Sequence, residues 1–230
     1  DKSVYLFPQH EALIDMIKAR IRDGQEPLFE HLVEEVIDPN SDNPKVVGKT
    51  AAGEPFEISA DVVVGADGSG SKVRIAVNGS QTAGYFREYP FAWYGILCEA
   101  PPSSEELIYS RSEEGFVLIS TRTDKIQRMY FQCDPEMKTD EVTDEQIWDK
   151  LQKGVKVELK RGPIFRKDVL RFRSFVAKGL RNNRVFLCGD AAHTVPPTGA
   201  KGMNLAFSDV LWLFQALKEF FATGSESGMN

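Results

Sequence analysis

Along the N-terminal part of the chain, apolar Leu13, Ile14, Ile17 and Ile21 recur at helical spacing, which predicts an amphipathic helix over residues 10–22 after a loop at Phe7-Pro8-Gln9. Strand-like segments follow at 28–37 and 45–50, and a further apolar strand at 58–64 runs into Gly65-Ala66-Asp67-Gly68. Between residues 76 and 180 the pattern changes to aromatic-rich runs, YPFAWYGIL, EELIYS, GFVLIST and QRMYFQC, separated by Pro and charged loops. These predict an antiparallel sheet, with one helix near 144–153. A strand at 184–188 and a strongly apolar helix over 204–221 close the pattern. The expected class is therefore α/β, in the α+β sense: an antiparallel-sheet domain at 76–180 inserted between 1–75 and 181–230.

Composition narrows the function classes. With 230 residues, 42% hydrophobic and 27% charged, the chain is long enough for one large core or two modest ones. A net charge of −6 and a pI near 5.3 give no electrostatic footprint for nucleic acid or for an anionic membrane, so an anionic substrate needs local arginines. Cys98, Cys133 and Cys188 form no CxxC pair, and the histidines number three and are scattered. Buried free thiols in a reducing compartment are expected, with no metal site. With no signal peptide and no apolar run of ~18 residues, a cytoplasmic location is the default expectation.

Two segments repeat one physical arrangement of strand, Asp, Gly and helix start. The first, GADGSGSKVR, occupies 65–74; the second, RVFLCGDAAHTVPPTGAKGMNLAFSDV, occupies 184–210. An Asp at the end of a strand can accept hydrogen bonds from ribose-like hydroxyls, and the free N–H groups of a helix start stabilise negative charge.

A third segment, GFVLISTRTDKIQRMYFQ at 115–132, reads as a hairpin. With its loop at 123–127, Ser120 is expected opposite Tyr130 and Arg122 opposite Arg128, all on one face; a one-residue slip would separate the pairs. Two guanidiniums beside a hydroxyl and a phenol suit a small carboxylate, because Arg presents a planar pair of donors. The same residues also fit a solvated strand face with scattered arginines.

In the order and spacing of these motifs the chain resembles the flavin-dependent aromatic hydroxylases, from Val4 to about Gly224, most densely at 88–132 and 184–210. Within that family PPTGAKGMN, ELIYS and the hairpin look like the members that hydroxylate 4-hydroxybenzoate to 3,4-dihydroxybenzoate with FAD, NADPH or NADH, and O2. The resemblance implies a partial FAD-binding three-layer domain with an inserted substrate domain. It also implies that Ser120, Arg122 and Tyr130 bind the substrate carboxylate, with Thr121 also among the substrate-binding residues, that Tyr109 hydrogen-bonds the phenolic oxygen, and that the Pro197 carbonyl faces the substrate hydroxyl. Tyr109 is the catalytic residue of this set. Oxygen transfer from a flavin C4a-hydroperoxide favours a phenolate, and a free phenol has a pKa near 10, so a relay must ease proton loss.

For the cofactor, the resemblance implies Gln9 (in FPQHEAL), Asp67, Gly68, Arg128, Asp190, Gly202, Met203 and Asn204, with Lys201 as a nearby charge. Arg173 (in FRSFV) would lie near the nicotinamide nucleotide. The chain departs from the family in having no strand-GxGxxG-helix segment. An internal or truncated portion of a longer protein is therefore expected, and Gly70 replaces a histidine of the family, which leaves the reductant open. A homodimer is implied by resemblance alone. The alternatives are a hydroxylase of another phenolic acid, or a non-catalytic module that binds small aromatic acids or a complementary chain.

Overall fold

The computed structural model describes residues 7–229; Val4, where the resemblance starts, lies outside the described residues. In chain order the elements begin with α1 (Gln9–Arg22), β1 (His31–Ile37), β2 (Lys45–Thr50), β3 (Pro55–Ser59), β4 (Val63–Gly65) and α2 (Val73–Asn78). Next come β5 (Gly84–Glu99), β6 (Ile108–Ser112), β7 (Gly115–Thr121), β8 (Ile126–Cys133) and α3 (Asp144–Lys153). The last are β9 (Ile164–Ala177), β10 (Arg181–Asn182), β11 (Val185–Leu187), β12 (His193–Thr194) and α4 (Gly202–Thr223). The chain divides into two compact units, residues 1–27 with 89–172, and 28–88 with 173–230.

In the first unit an antiparallel sheet has the strand order β9-β5-β8-β7-β6. Period-2 alternation sorts its side chains. Ala92, Tyr94, Ile96 and Cys98 of β5, Val117 and Ile119 of β7, and Met129, Phe131 and Cys133 of β8 form one buried face with Ile147, Trp148 and Leu151 of α3. Each fully buried Leu or Ile there contributes roughly 1.5–3 kcal/mol. The helix starts where expected because Thr143 and Gln146 make a reciprocal capping box: the Thr143 Oγ1 accepts from the Gln146 N–H at 3.3 Å, and the Gln146 Oε1 from the Thr143 N–H at 2.9 Å. Residues of the other parity, Trp93, Leu118, Tyr130 and Phe172, make a second cluster.

In the second unit, β1-β2-β3 is an antiparallel meander, and β10-β11-β4 is a separate sheet in which β11 and β4 run parallel. The residues expected to form one strand at 58–64 belong to two. Ile58 ends the meander on β3, whereas Val63 starts β4, and the break is fixed by the Ala60 N–H bonding the Pro44 carbonyl and the Val63 N–H bonding the Arg184 carbonyl, both at 3.0 Å. β1 starts at His31, leaving Leu28 and Phe29 exposed. The helix expected at 204–221 runs over Gly202–Thr223. In α1 the apolar stripe is present but no residue is buried. All three cysteines are free and buried, as composition suggested.

Candidate functional site

In the first unit, β7 and β8 pair Leu118 with Tyr130, Ser120 with Arg128 and Thr121 with Gln127. The turn is tighter than expected: the Arg122 and Thr123 N–H groups both donate to the Ile126 carbonyl, at 2.8 and 3.1 Å. The register is thus shifted by two residues from the expected pairing of Ser120 with Tyr130 and Arg122 with Arg128. The cause is Gln127, expected in the loop but fully buried in β8. Its Nε2 donates to the carbonyls of Pro101 (2.7 Å) and Lys160 (3.3 Å), and its Oε1 accepts from the Ser103 N–H at 2.9 Å. A shift of two preserves parity, so Ser120, Arg122, Arg128 and Tyr130 still share a face. Thr121 has the opposite parity, so its side chain does not join that set. Tyr109 of β6 pairs with Leu118, giving a row Tyr109–Leu118–Tyr130–Gly95 across four strands. Tyr109 is half exposed and leans on Phe116 at 5.6 Å.

The electrostatics of this face favour an anion. Burial lowers the pKa of the Arg122 guanidinium, and Arg128 pushes it the same way, with Tyr130 opposing. Burial raises the Tyr130 phenol, against the pull of Arg128 and Arg122, so it stays a neutral donor. The Arg128 guanidinium lies 4.8 Å over the Tyr130 ring. Among the described residues neither Arg122 nor Arg128 has an ion-pair partner. The Ser120 hydroxyl donates to the Arg128 carbonyl at 2.9 Å, so towards a ligand it offers lone pairs rather than its proton.

In the second unit the two Asp-Gly loops are stapled together. Arg74, 3% exposed, donates from Nε to the Ala191 carbonyl (2.7 Å), from Nη2 to the Asp190 carbonyl (3.0 Å), and from Nη1 to the carbonyls of Ser69 and Gln81 (both 3.1 Å). Its guanidinium covers the Phe175 ring at 4.2 Å. Burial lowers its pKa, with Asp67 opposing and Arg173 adding. Sequence reasoning missed this residue; the available signal was one Arg in the otherwise apolar run VRIAV.

After β11 the chain turns at Gly189 (φ +61), a conformation glycine adopts without strain. The Asp209 Oδ2 of α4 receives the Gly189 N–H and contacts His193 Nε2, both at 2.8 Å. Asp209 was also missed, because a charge inside an apolar helix announces no partner. The Asp190 carboxylate is exposed and has no partner among the described residues. Asp67 differs: its Oδ2 accepts the N–H groups of Lys72 (2.7 Å) and Val73 (3.2 Å), so one oxygen caps the start of α2. Gly68 has φ +78 and open space around it. Exposed Arg173 donates to the Ser69 hydroxyl at 2.8 Å. Exposed Pro197 opens a short 3-10 turn, Ala200 is left-handed, and α4 begins at Gly202 with no side-chain cap. The first-turn N–H groups of Gly202, Met203 and Asn204 are thereby left open. An open helix start, a free carboxylate and a glycine turn are a donor and acceptor set that fits a flavin nucleotide. Gln9 is the exposed first residue of α1. A cleft of about 860 Å³, lined by Asn182, Phe186, Cys188, Asp209, Trp212 and Met229 among others, includes none of the residues nominated from sequence.

Comparison with known proteins identifies the family. A family model described as FAD binding domain matches residues 1–230. The chain is 37% identical over 233 residues to p-hydroxybenzoate hydroxylase of Acinetobacter baylyi, a match that spans all of this chain and 57% of the relative. It is 28% identical over 166 residues to a phenol 2-monooxygenase of Aspergillus fumigatus, covering 66% of this chain and 27% of the relative. The chain therefore spans between about a quarter and three fifths of the length of these curated relatives. Among solved structures, the flavin-dependent monooxygenase PieE in complex with FAD and substrate superposes with TM-score 0.77 at 20% identity, covering 94% of this chain and 39% of that one. The anhydrotetracycline hydroxylase OxyS of Streptomyces rimosus does so with TM-score 0.65 at 23% identity, covering 94% and 44%. At these identities the structural likeness speaks for the fold.

Proposed function

Because the chain belongs to the FAD-binding domain family, we propose that it serves a flavin-dependent monooxygenase that hydroxylates 4-hydroxybenzoate to 3,4-dihydroxybenzoate, using FAD, a nicotinamide reductant and O2. The observation that carries this reading is the pair Arg122 and Arg128, two guanidiniums on one sheet face without a carboxylate partner, beside the buried phenol of Tyr130. A substrate carboxylate supplies the missing counter-charge, and burial strengthens each charge-assisted bond. Tyr130 donates its hydroxyl to the same carboxylate, and Ser120 holds the Arg128 backbone at the floor of the cradle.

Tyr109 lies two strands from Tyr130, about 10 Å at ordinary strand spacing, with Leu118 between them. The aromatic ring of the substrate spans that apolar gap, so its phenolic oxygen reaches Tyr109 while its acid stays on the arginines. Half-exposed Tyr109 accepts a hydrogen bond from the substrate phenol, and as that proton moves onto its oxygen its own hydroxyl proton leaves to water, which eases formation of the phenolate. In the second unit the Pro197 carbonyl, on the short turn before α4, is a candidate acceptor for a substrate hydroxyl. In the second unit, Asp190 would accept a sugar or ribityl hydroxyl, the open amides of Gly202, Met203 and Asn204 would face the ring edge that gains negative charge, and Asp67 and Gly68 would add cofactor contacts; in the first unit Gln9 is a further candidate for the flavin. Arg173, held by Ser69, would contact the reductant. Bound FAD supplies the acceptance of reducing equivalents and the activation of O2.

The test is retention of added FAD by the purified chain, followed by titration with 4-hydroxybenzoate and detection of 3,4-dihydroxybenzoate in the presence of NADPH or NADH. Flavin retained and perturbed by 4-hydroxybenzoate but not by phenol supports the reading. A chain indifferent to both compounds refutes it. Retained flavin perturbed equally by both would favour an acid-free phenol as substrate.

A further inference from the structure

Arg122, Arg128 and Tyr130, which could hold the acid, are accounted for above, but the slot that accommodates Tyr130 is made by a residue with no polar atom in its side chain. Gly95 sits in the middle of β5 between Tyr94 and Ile96, in a run whose neighbours on both parities are large. Its backbone is ordinary extended strand without positive φ, so conformational freedom does not explain a glycine there. Space does. Gly95 pairs directly with Tyr130, and a Cβ on Gly95 would lie 2.6 Å from Tyr130 Cε1 and 2.9 Å from Cδ1, closer than carbon atoms approach. The Tyr130 ring therefore lies across the bare backbone of Gly95. Around the ring lie the Arg128 guanidinium at 4.8 Å and the Trp93 ring at 5.2 Å, with Leu118 and Phe172 in the same buried cluster, and Trp93 is itself stacked on Phe116 at 4.8 Å.

We infer that Gly95 is a specificity-determining residue, which sets the position of the Tyr130 hydroxyl and of the Arg128 guanidinium stacked on its ring and so selects aromatic substrates that carry an acid group. This rests on the proposed hydroxylase reading. Any side chain at position 95 tilts the phenol off the strand. The ring can move only away from β5, because Trp93 and Arg128 occupy its flanks, and its hydroxyl leaves the cradle formed with Arg122. An acid-free phenol makes no use of that cradle and is indifferent to the shift.

The experiment is equilibrium dialysis of the full chain with added FAD against 4-hydroxybenzoate and against phenol, for the wild type and Gly95→Ala. The expected result is a Kd for 4-hydroxybenzoate about 10-fold or more weaker in Gly95→Ala, the equivalent of one lost charge-assisted hydrogen bond, with phenol binding unchanged within about 2-fold. Equal weakening of both compounds, or of neither, overturns the role given to Gly95 while leaving the hydroxylase reading in place. A wild-type chain that binds neither compound overturns both. Should Gly95→Ala fold poorly, thermal melting of Tyr130→Ala and Gly95→Ala/Tyr130→Ala decides the matter. With the ring removed, the three atoms nearest the added methyl are gone and the two variants melt together; a further loss in the double variant as large as that of Gly95→Ala alone overturns the inference.

Discussion

Replacing Arg74 tests the reading of the two Asp-Gly loops as one stapled body. In Arg74→Met the apolar stem is kept and four backbone carbonyls, on Ser69, Gln81, Asp190 and Ala191, lose their donors, as does the Phe175 face its cation. Hydrogen bonds from a charged donor contribute about 1.5–3 kcal/mol each, but the four share one guanidinium, and water can reach the outer carbonyls. Only the sites next to Ala191, which is fully buried, lack that relief. A net loss of roughly 3–5 kcal/mol follows, from two buried carbonyls left without a donor at about 1–3 kcal/mol each and the lost cation–π contact. For a chain of this size each kcal/mol lowers the melting temperature by about 2–4 °C, so Arg74→Met should melt roughly 6–20 °C lower by circular dichroism. Arg74→Lys should fall between, since an ammonium cannot fork to carbonyls on both loops. A melting temperature for Arg74→Met within about 3 °C of the wild type would refute the staple.

Other consequences follow from the same geometry. Arg122→Met should weaken 4-hydroxybenzoate binding roughly 100-fold in calorimetry, the loss of about 3 kcal/mol from a charge-assisted pair, and unchanged affinity would remove the acid cradle from the proposal. Asp209→Ala leaves the Gly189 N–H without its acceptor and should cost about 1–3 kcal/mol in denaturant unfolding, whereas Asp209→Asn, which keeps an acceptor oxygen, should cost less. Burial pushes the thiols of Cys98, Cys133 and Cys188 up to about 11, from an ordinary value of 9.0. Above pH 9 the unfolded chain therefore binds fewer protons than the folded one. The stability these neutral thiols contribute is fully present below pH 9 and is lost as pH rises to about 11. Replacing all three by Ala should make the alkaline decline in denaturant midpoint shallower; an unchanged slope would contradict it.

Elements were legible where a motif couples residue type to position: in the second unit Gly189 needs a left-handed turn, and in the first unit α3 announces its start through Thr143 and Gln146. The hairpin face was legible through parity, although its register was not. Gln127 looks like a loop residue, and only carbonyls supplied from Pro101 and Lys160 make it a strand residue. Likewise the apolar residues from Ile58 to Val64 carry no mark of the place where the chain leaves one sheet for another, because alternation reports burial and not partner. Arg74 and Asp209 were hidden for a related reason: their partners are backbone groups distant in sequence, which leave no trace in local pattern.

The contact of Asp209 with Gly189 also fixes the rotational phase of a helix. Asp209 lies seven residues after Gly202, close to two full turns, so it shares roughly one azimuth with the helix start about 10.5 Å away along the axis. The direction in which the amides of Gly202, Met203 and Asn204 point is thus indexed from the far side of those two turns. A one-residue insertion anywhere between them would keep the helix and its apolar character and lengthen it by only about 1.5 Å, yet rotate the opening amides by about 100°.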